Sequence, residues 1–135
     1  MTFELDGTRY EICTLEHDRW SFCSLHGLLR TMQRLNVTEK KALHIINDAL
    51  HKGQTVAELP MRWQREYVEN VRILAYNGWT KLRVLRNCLF IFSCEGRLIT
   101  VYNLPKSFNK RYRFDSDKQP VRNLRKYLRM NPAVS

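Results

Sequence analysis

Two cysteines and two histidines lie close together near the N-terminus, and these are residue types that bind zinc. They follow the spacing Cys13-x3-His17-x5-Cys23-x2-His26. Structural zinc sites usually join one ligand pair to a second pair a dozen or more residues away, whereas these two pairs nearly abut. The last ligand, His26, also falls on a predicted helix. We therefore expect no metal at these residues.

A second pattern places His26, Arg30 and Arg34 at intervals of four residues within SLHGLLRTMQRLNVT. This spacing lines the three side chains along one face of the predicted helix. A lone histidine on a helix is usually solvated surface, and two arginines can be ordinary surface charge. The same residues would also set an imidazole beside two permanent cations. Spacing alone leaves both interpretations open.

A third pattern lies in the predicted hairpin CLFIFSCEGRLITVYNL. Gly96 can take the positive φ that a short turn between two strands requires. Because side chains alternate along a strand, Thr100 and Tyr102 share one face of the second strand, whereas Ile99 and Val101 share the other. Threonine and tyrosine are good strand formers, so this pattern by itself is compatible with structure or with function.

The charge of the chain is its strongest global signal. The sequence holds 23 Lys and Arg against 13 Asp and Glu, which gives a net charge of +10. Residues 106–135 carry +7 of that charge. Such an excess favours a polyanionic partner, most often RNA or another nucleic acid. A merely solvated basic surface and an acidic protein partner are the alternatives.

The length and composition of the chain limit the classes of protein to which it can belong. A length of 135 residues suits a single domain, which we place at residues 1–135. No stretch approaches the roughly 20 apolar residues of a membrane span. The N-terminus carries no export signal, and the four cysteines are expected to be reduced thiols, so the predicted location is cytoplasmic. The five glycines form no phosphate-binding fingerprint, GxSxG and HExxH are absent, and we expect no cofactor.

The first half of the chain reads as a hairpin followed by two helices. Asp6-Gly7 is a favourable two-residue turn between alternating segments. Ser24 is a suitable N-cap for a helix that runs to about Leu35. Asn36 or Thr38 caps the next helix, predicted over 39–52, and Gly53 ends it.

The second half of the chain is predicted to form a helix and three strands, followed by a basic tail. Over 60–77, apolar residues at helical spacing favour a helix that Asn77-Gly78 ends, although VRILAY-NG-WTKLRVL could instead form a hairpin. Strands follow near 80–85, 88–93 and 97–104, and a last helix is predicted from about Asp117 to Met130. The fold class is therefore α+β, with N-terminal helices packed on one face of a small antiparallel sheet, an N-terminal hairpin and a basic C-terminal helix.

Taken together, HGLLRTMQR, NVT, KG, KLRVL, FIF and GRLITVYNLP occur in an order that resembles nuclease-like domains of the barnase, EndoU, colicin and RelE superfamily, of the phage type. The resemblance covers about residues 24–105 and leaves 106–135 as a basic extension. It implies helices on one face of an antiparallel sheet and an opposite face that binds and cleaves RNA, commonly without metal.

The resemblance also implies a site on the open face of the sheet. Val101 and Ile99 would face the helices, and Leu82 and Val84 would point to the same buried face of the sheet. His26 would carry a proton, arginines would bind phosphate oxygens, and hydroxyl groups would donate hydrogen bonds. The implied catalytic residues are His26, Arg30, Arg83, Thr100 and Tyr102. The implied nucleic-acid-binding residues are Arg34, Lys81, Lys106, Lys110, Arg111 and Arg113.

The leading hypothesis is a phage-derived, metal-independent endoribonuclease that cleaves RNA by attack of the 2′-hydroxyl and that a protein inhibitor could control. The alternative is a non-catalytic nucleic-acid-binding regulatory protein with the same basic surface. A third hypothesis, inhibition of a host enzyme by direct contact, predicts an exposed apolar patch. Geometry separates the first two, because an enzyme needs His26 within reach of Arg83, Thr100 and Tyr102.

Overall fold

The computed structural model describes residues 1–13, 23–75 and 78–109. It confirms the α+β class, with three helices, a two-stranded hairpin and a three-stranded antiparallel sheet. The elements are β1 (Thr2–Leu5), β2 (Thr8–Glu11), α1 (Leu25–Leu35), α2 (Glu39–Lys52), a 3-10 helix (Val56–Glu58), α3 (Arg62–Ala75), β3 (Thr80–Leu85), β4 (Cys88–Ser93), β5 (Leu98–Asn103) and a 3-10 helix (Lys106–Asn109). Among these helices, none combines the length and apolar character that a bilayer crossing requires. The predicted C-terminal helix lies outside the described residues.

The N-terminal hairpin forms around the predicted turn. Asp6 and Gly7 both adopt positive φ, 51° and 81°, and Leu5 pairs with Thr8 across them. Positive φ at both central residues matches the right-handed twist of the flanking strands. One side of the hairpin packs through Phe3 and Tyr10 against the core beneath α1 and α2.

The predicted caps place the ends of α1 and α2. The Ser24 hydroxyl accepts a hydrogen bond from the Gly27 N–H at 2.9 Å. Asn36 ends α1 with a left-handed backbone at φ 53°, and Thr38 is the N-cap of α2. Gly53 ends α2 as expected, but its backbone is extended at φ −65°. Its lack of a side chain instead permits close approach, because a Cβ there would lie 3.0 Å from the Cβ of Arg83.

The segment predicted as either helix or hairpin is helical, and it forms α3. Trp63, Tyr67, Val68 and Val71 are buried and lie along one stripe of this helix. An amphipathic stripe of this kind must be buried against another element. The structure buries it against the sheet.

The sheet has the order β3-β4-β5, and helices cover both of its faces. On β4, Cys88, Phe90 and Phe92 pack with α1 and α2, whereas Leu89 and Ile91 pack with α3. The expectation that one face stays open is therefore wrong. The uninterrupted apolar run CLFIF of β4 indicates that both faces are covered, because a strand buried on both faces does not alternate between apolar and polar residues.

The 3-10 helix after β5 completes the core on the α3 side. Phe108 is fully buried and packs edge-on against Trp63 and Tyr67, with ring centroids 5.6 Å and 5.9 Å apart. The Gln64 side-chain amide donates to the Phe108 carbonyl at 2.6 Å. The first four residues of the predicted basic extension therefore pack with the body of the fold.

Candidate functional site

Helix α1 is fixed against β5, the edge strand that carries Thr100 and Tyr102. The Ser24 N–H and the Ser24 hydroxyl both donate to the Leu98 carbonyl, each at 3.0 Å. A Cβ on Gly27 would lie 2.9 Å from the same oxygen, so glycine permits this close approach.

Arg30 is oriented by the N-terminal hairpin. Its Nη1 donates to Asp6 Oδ2 at 2.6 Å and to Gln33 Oε1 at 2.7 Å, and the Gln33 amide also donates to Asp6 at 3.1 Å. The hydrogen bond from Gln33, followed by the contact with Arg30, lowers the pKa of the Asp6 carboxyl. The hairpin turn thus holds the guanidinium of Arg30 in place on the surface of α1.

His26 lies one helical turn before Arg30 and is accessible to solvent. Partial burial of the imidazole, followed by repulsion from Arg30, lowers its pKa below the usual value of 6.5, while Asp6 acts in the opposite direction. The lowered pKa favours the neutral form of the imidazole. A neutral imidazole has one nitrogen that can accept a proton.

Tyr102 lies within electrostatic range of the α1 arginines. Burial raises the pKa of its hydroxyl, and the positive charges of Arg30 and Arg34 oppose that rise. Its half-buried ring packs against the core beneath α3. Thr100 points to the same face, since it pairs with Ile91 as Tyr102 pairs with Leu89, but only 8% of it is exposed. Thr100 is thus poorly placed to touch a ligand.

Arg34 has hydrogen-bonding capacity to spare. Its Nε is buried and has no partner within the described parts of the chain. Its positive charge lowers the pKa values of Asp6, Cys88 and Tyr102, against the effect of burial. The side chain as a whole is only partly buried, so the rest of its guanidinium can donate to an anion. We use the name α1–β5 site for His26, Arg30 and Arg34 on α1 together with Tyr102 on the adjoining strand β5.

Arg83 does not belong to this site, which corrects the prediction that it stands beside Thr100 and Tyr102. It pairs with Phe90 and therefore faces α1 and α2, opposite to the face that carries Thr100 and Tyr102. Its Nε donates to the Leu50 carbonyl at 3.3 Å, and its Nη1 donates to the Leu82 carbonyl at 2.9 Å. These bonds tie the end of α2 to β3.

The predicted binding residues are spread over the molecule. Lys81 is exposed on β3, at the sheet edge opposite to β5, and Lys106 is exposed at the start of the last 3-10 helix. Only Arg34 of the predicted binding set lies in the α1–β5 site. The remaining three, Lys110, Arg111 and Arg113, lie outside the described residues.

A concave surface away from the α1–β5 site was not predicted from the sequence. It is a cavity of about 550 Å³ along the edge strand β3, beside α3. The residues that line it are Val56, Glu69, Arg72, Gly78, Trp79, Thr80, Lys81, Leu82 and Arg83. We call it the Trp79 cleft. A tryptophan before a strand is usually core, so the sequence offers no signal that this one faces solvent.

Three or more His, Cys, Asp or Glu side chains do not converge on a possible metal position anywhere in residues 1–13, 23–75 and 78–109. Comparisons with protein-family models, curated proteins and solved structures found no match to this chain. The functional assignment therefore depends on the chemistry of the sites themselves.

Proposed function

We propose that this protein binds single-stranded RNA through the α1–β5 site. The observation that carries the proposal is the close packing of α1, which carries Arg30 and Arg34 one turn apart, on the edge strand β5, which carries the half-buried Tyr102. Guanidinium groups bind phosphate oxygens, and an aromatic ring can stack a base that is not paired. Single-stranded RNA offers both kinds of group in alternation.

The charge of the whole chain supports the same proposal. The described residues contain fourteen Lys and Arg against nine Asp and Glu, and the full chain has a net charge of +10. A protein with this excess attracts a polyanion from a distance, and binding releases condensed counterions. Affinity for RNA should therefore fall as the salt concentration rises.

Fluorescence anisotropy with a labelled single-stranded RNA of about 16 nucleotides tests the proposal. The logarithm of the association constant is measured against the logarithm of the salt concentration for the wild type and for Arg34→Gln. Loss of one phosphate contact should reduce the slope by about 0.7 for a single strand. Arg62→Gln is the matched control, because it removes the same charge from α3, where Arg62 pairs with Glu66 at 3.0 Å.

Two results would contradict the proposal. One is a wild-type protein that binds no RNA at low salt. The other is an equal loss of affinity in Arg34→Gln and Arg62→Gln, which would mean that only the total charge matters. Thermal unfolding of both variants checks that neither substitution disrupts the fold.

A second candidate function is metal-independent RNA cleavage, for which His26, exposed on α1 one turn before Arg30, supplies a proton carrier. The imidazole would accept the proton of a 2′-hydroxyl group, whose oxygen then attacks the adjacent phosphorus. Arg30 and Arg34 would stabilise the charge of the phosphorane. Tyr102, whose raised pKa keeps its hydroxyl protonated, would donate a proton to the departing 5′-oxygen. The products would be a 2′,3′-cyclic phosphate and a free 5′-hydroxyl.

His26→Ala separates the two functions. It removes a proton carrier and no formal charge at neutral pH, so cleavage should fall by about 10²- to 10⁴-fold while the affinity for RNA changes little. EDTA should not inhibit cleavage. Cleavage that persists in His26→Ala would refute this role for His26. A wild type that binds RNA but cleaves none of several sequences would leave binding as the function.

A further inference from the structure

Trp79 is the most exposed large apolar side chain among the described residues. It is 88% accessible, whereas Trp63 is 3% accessible and lies in the core. A tryptophan side chain can bury about 150–250 Å² of surface, and an exposed one does not contribute this burial to the stability of the fold. An indole in this position is available to stack on another flat ring.

The cleft beside Trp79 is lined with cations. Arg72 Nε contacts Glu69 Oε2 at 3.2 Å, and Arg83 is held by its bonds to the Leu50 and Leu82 carbonyls. Both guanidinium groups are therefore oriented before any ligand arrives. Lys81 is exposed, and its ammonium group can move to meet an anion. Three cations against the single carboxylate of Glu69 make the lining positive.

We propose that the Trp79 cleft is a second nucleotide subsite, in which a base of single-stranded RNA stacks on Trp79 and the adjoining phosphate contacts Lys81. The inference depends on the proposed RNA-binding function. An exposed indole next to a positive concavity matches a nucleotide, which joins a flat ring to an anion. The cations argue against a purely apolar protein partner at this position, although Ile73 and Leu74 are also exposed, at 57% and 64%.

The cleft and the α1–β5 site are separate surfaces. Thr80, next to Trp79, pairs with Ser93, whereas Tyr102 pairs with Leu89 near the other end of β4. The two sites also lie on opposite edge strands, β3 and β5. A substitution in one site should therefore leave the local structure of the other unchanged, so the two can be tested independently.

Intrinsic fluorescence provides the test, because the chain has only three tryptophans. Trp20, which lies outside the described residues, is replaced by phenylalanine, so that the signal comes from buried Trp63 and exposed Trp79. Titration with oligouridylate of about eight nucleotides should quench the emission of Trp79. Trp79→Ala should weaken binding by about 5- to 100-fold, the range expected for the loss of one base–aromatic stack. Trp79→Phe should retain most of the affinity, because phenylalanine also stacks.

The outcomes distinguish a failure of this inference alone from a failure of the proposed function. Unchanged affinity in Trp79→Ala together with weaker binding in Arg34→Gln would overturn the cleft alone. A wild type that binds no oligonucleotide would overturn both. If Trp79→Ala instead abolishes self-association in sedimentation while RNA affinity is unchanged, the cleft is a protein interface and the inference fails. Lys81→Gln gives an independent measure, since it should reduce the salt slope by about 0.7.

Discussion

Gly27→Ala is expected to destabilise the protein, because this position joins α1 to β5. The added Cβ would lie 2.9 Å from the Leu98 carbonyl oxygen and 3.0 Å from Leu98 Cγ. That oxygen already accepts hydrogen bonds from the N–H and the hydroxyl of Ser24. Because Ser24 is the N-cap of α1, neither the oxygen nor the helix can move away without lengthening both bonds.

The magnitude follows from two opposing effects. Alanine in place of glycine within a helix stabilises the folded state by roughly 0.5–1 kcal/mol. Overpacking at a close contact costs about 1–3 kcal/mol, and each weakened hydrogen bond costs about 0.5–1.5 kcal/mol if it is lost. The steric effect exceeds the gain in helix propensity. We expect a net loss of about 1–2 kcal/mol in the free energy of unfolding.

Urea denaturation measures this loss. With a slope of about 1–3 kcal/mol per molar urea, the midpoint for Gly27→Ala should fall by roughly 0.3–2 M. Asn47→Ala is the control, because Asn47 is exposed on α2 and its replacement adds helix propensity without a clash. If Gly27→Ala were as stable as Asn47→Ala, the close packing of α1 on β5 would be refuted.

Two further predictions concern titratable groups. The exposed thiols of Cys13 and Cys94 should react rapidly with a disulfide reagent in the native protein. Cys23 and Cys88 should react only after unfolding, because burial shields them and raises their pKa values to about 12 and about 11. Rapid reaction of all four thiols would contradict the packing. Since the folded pKa of Asp6 is lowered, its contribution to stability is present above its usual value of 3.8 and is lost as pH falls through the folded pKa. At neutral pH, Asp6→Asn should therefore unfold at a lower urea concentration than the wild type. In strong acid the two proteins should unfold at the same urea concentration. A difference between their midpoints that persists in acid would refute the stabilising role of the Asp6 carboxylate.

Local signals in the sequence predicted most of the elements. The Asp6-Gly7 turn and the caps at Ser24 and Thr38 depend on backbone and side-chain preferences within a few residues, so they can be recognised without the tertiary fold. The helix over Trp63 to Ala75 was the better of two interpretations because its apolar spacing spans more than three turns. Asn77, in the competing hairpin signal, lies outside the described residues.

The faces of the sheet could not be predicted in the same way. Leu82 and Val84 are buried, as expected, but burial identifies a face only when the other face is exposed. Here α3 covers the second face. The alternation of Arg83 with buried Leu82 and Val84 therefore gave the wrong face for Arg83. A register shift opposite Ile91 and Phe92 also changes the alternation in β5, and no residue type marks it. The arginines of α1 were found because their spacing is a property of one helix.

Photo-crosslinking tests the central claim, that RNA binds at the α1–β5 site, most directly. A single-stranded RNA of about 16 nucleotides containing 4-thiouridine is bound, irradiated and digested, and the crosslinked peptides are identified by mass spectrometry. Our account predicts crosslinks in α1, residues 25–35, or in β5, residues 98–103, and their loss when Arg30 and Arg34 are both replaced by glutamine. Crosslinks confined to α2 or to residues 110–135, unchanged in that double variant, would contradict it.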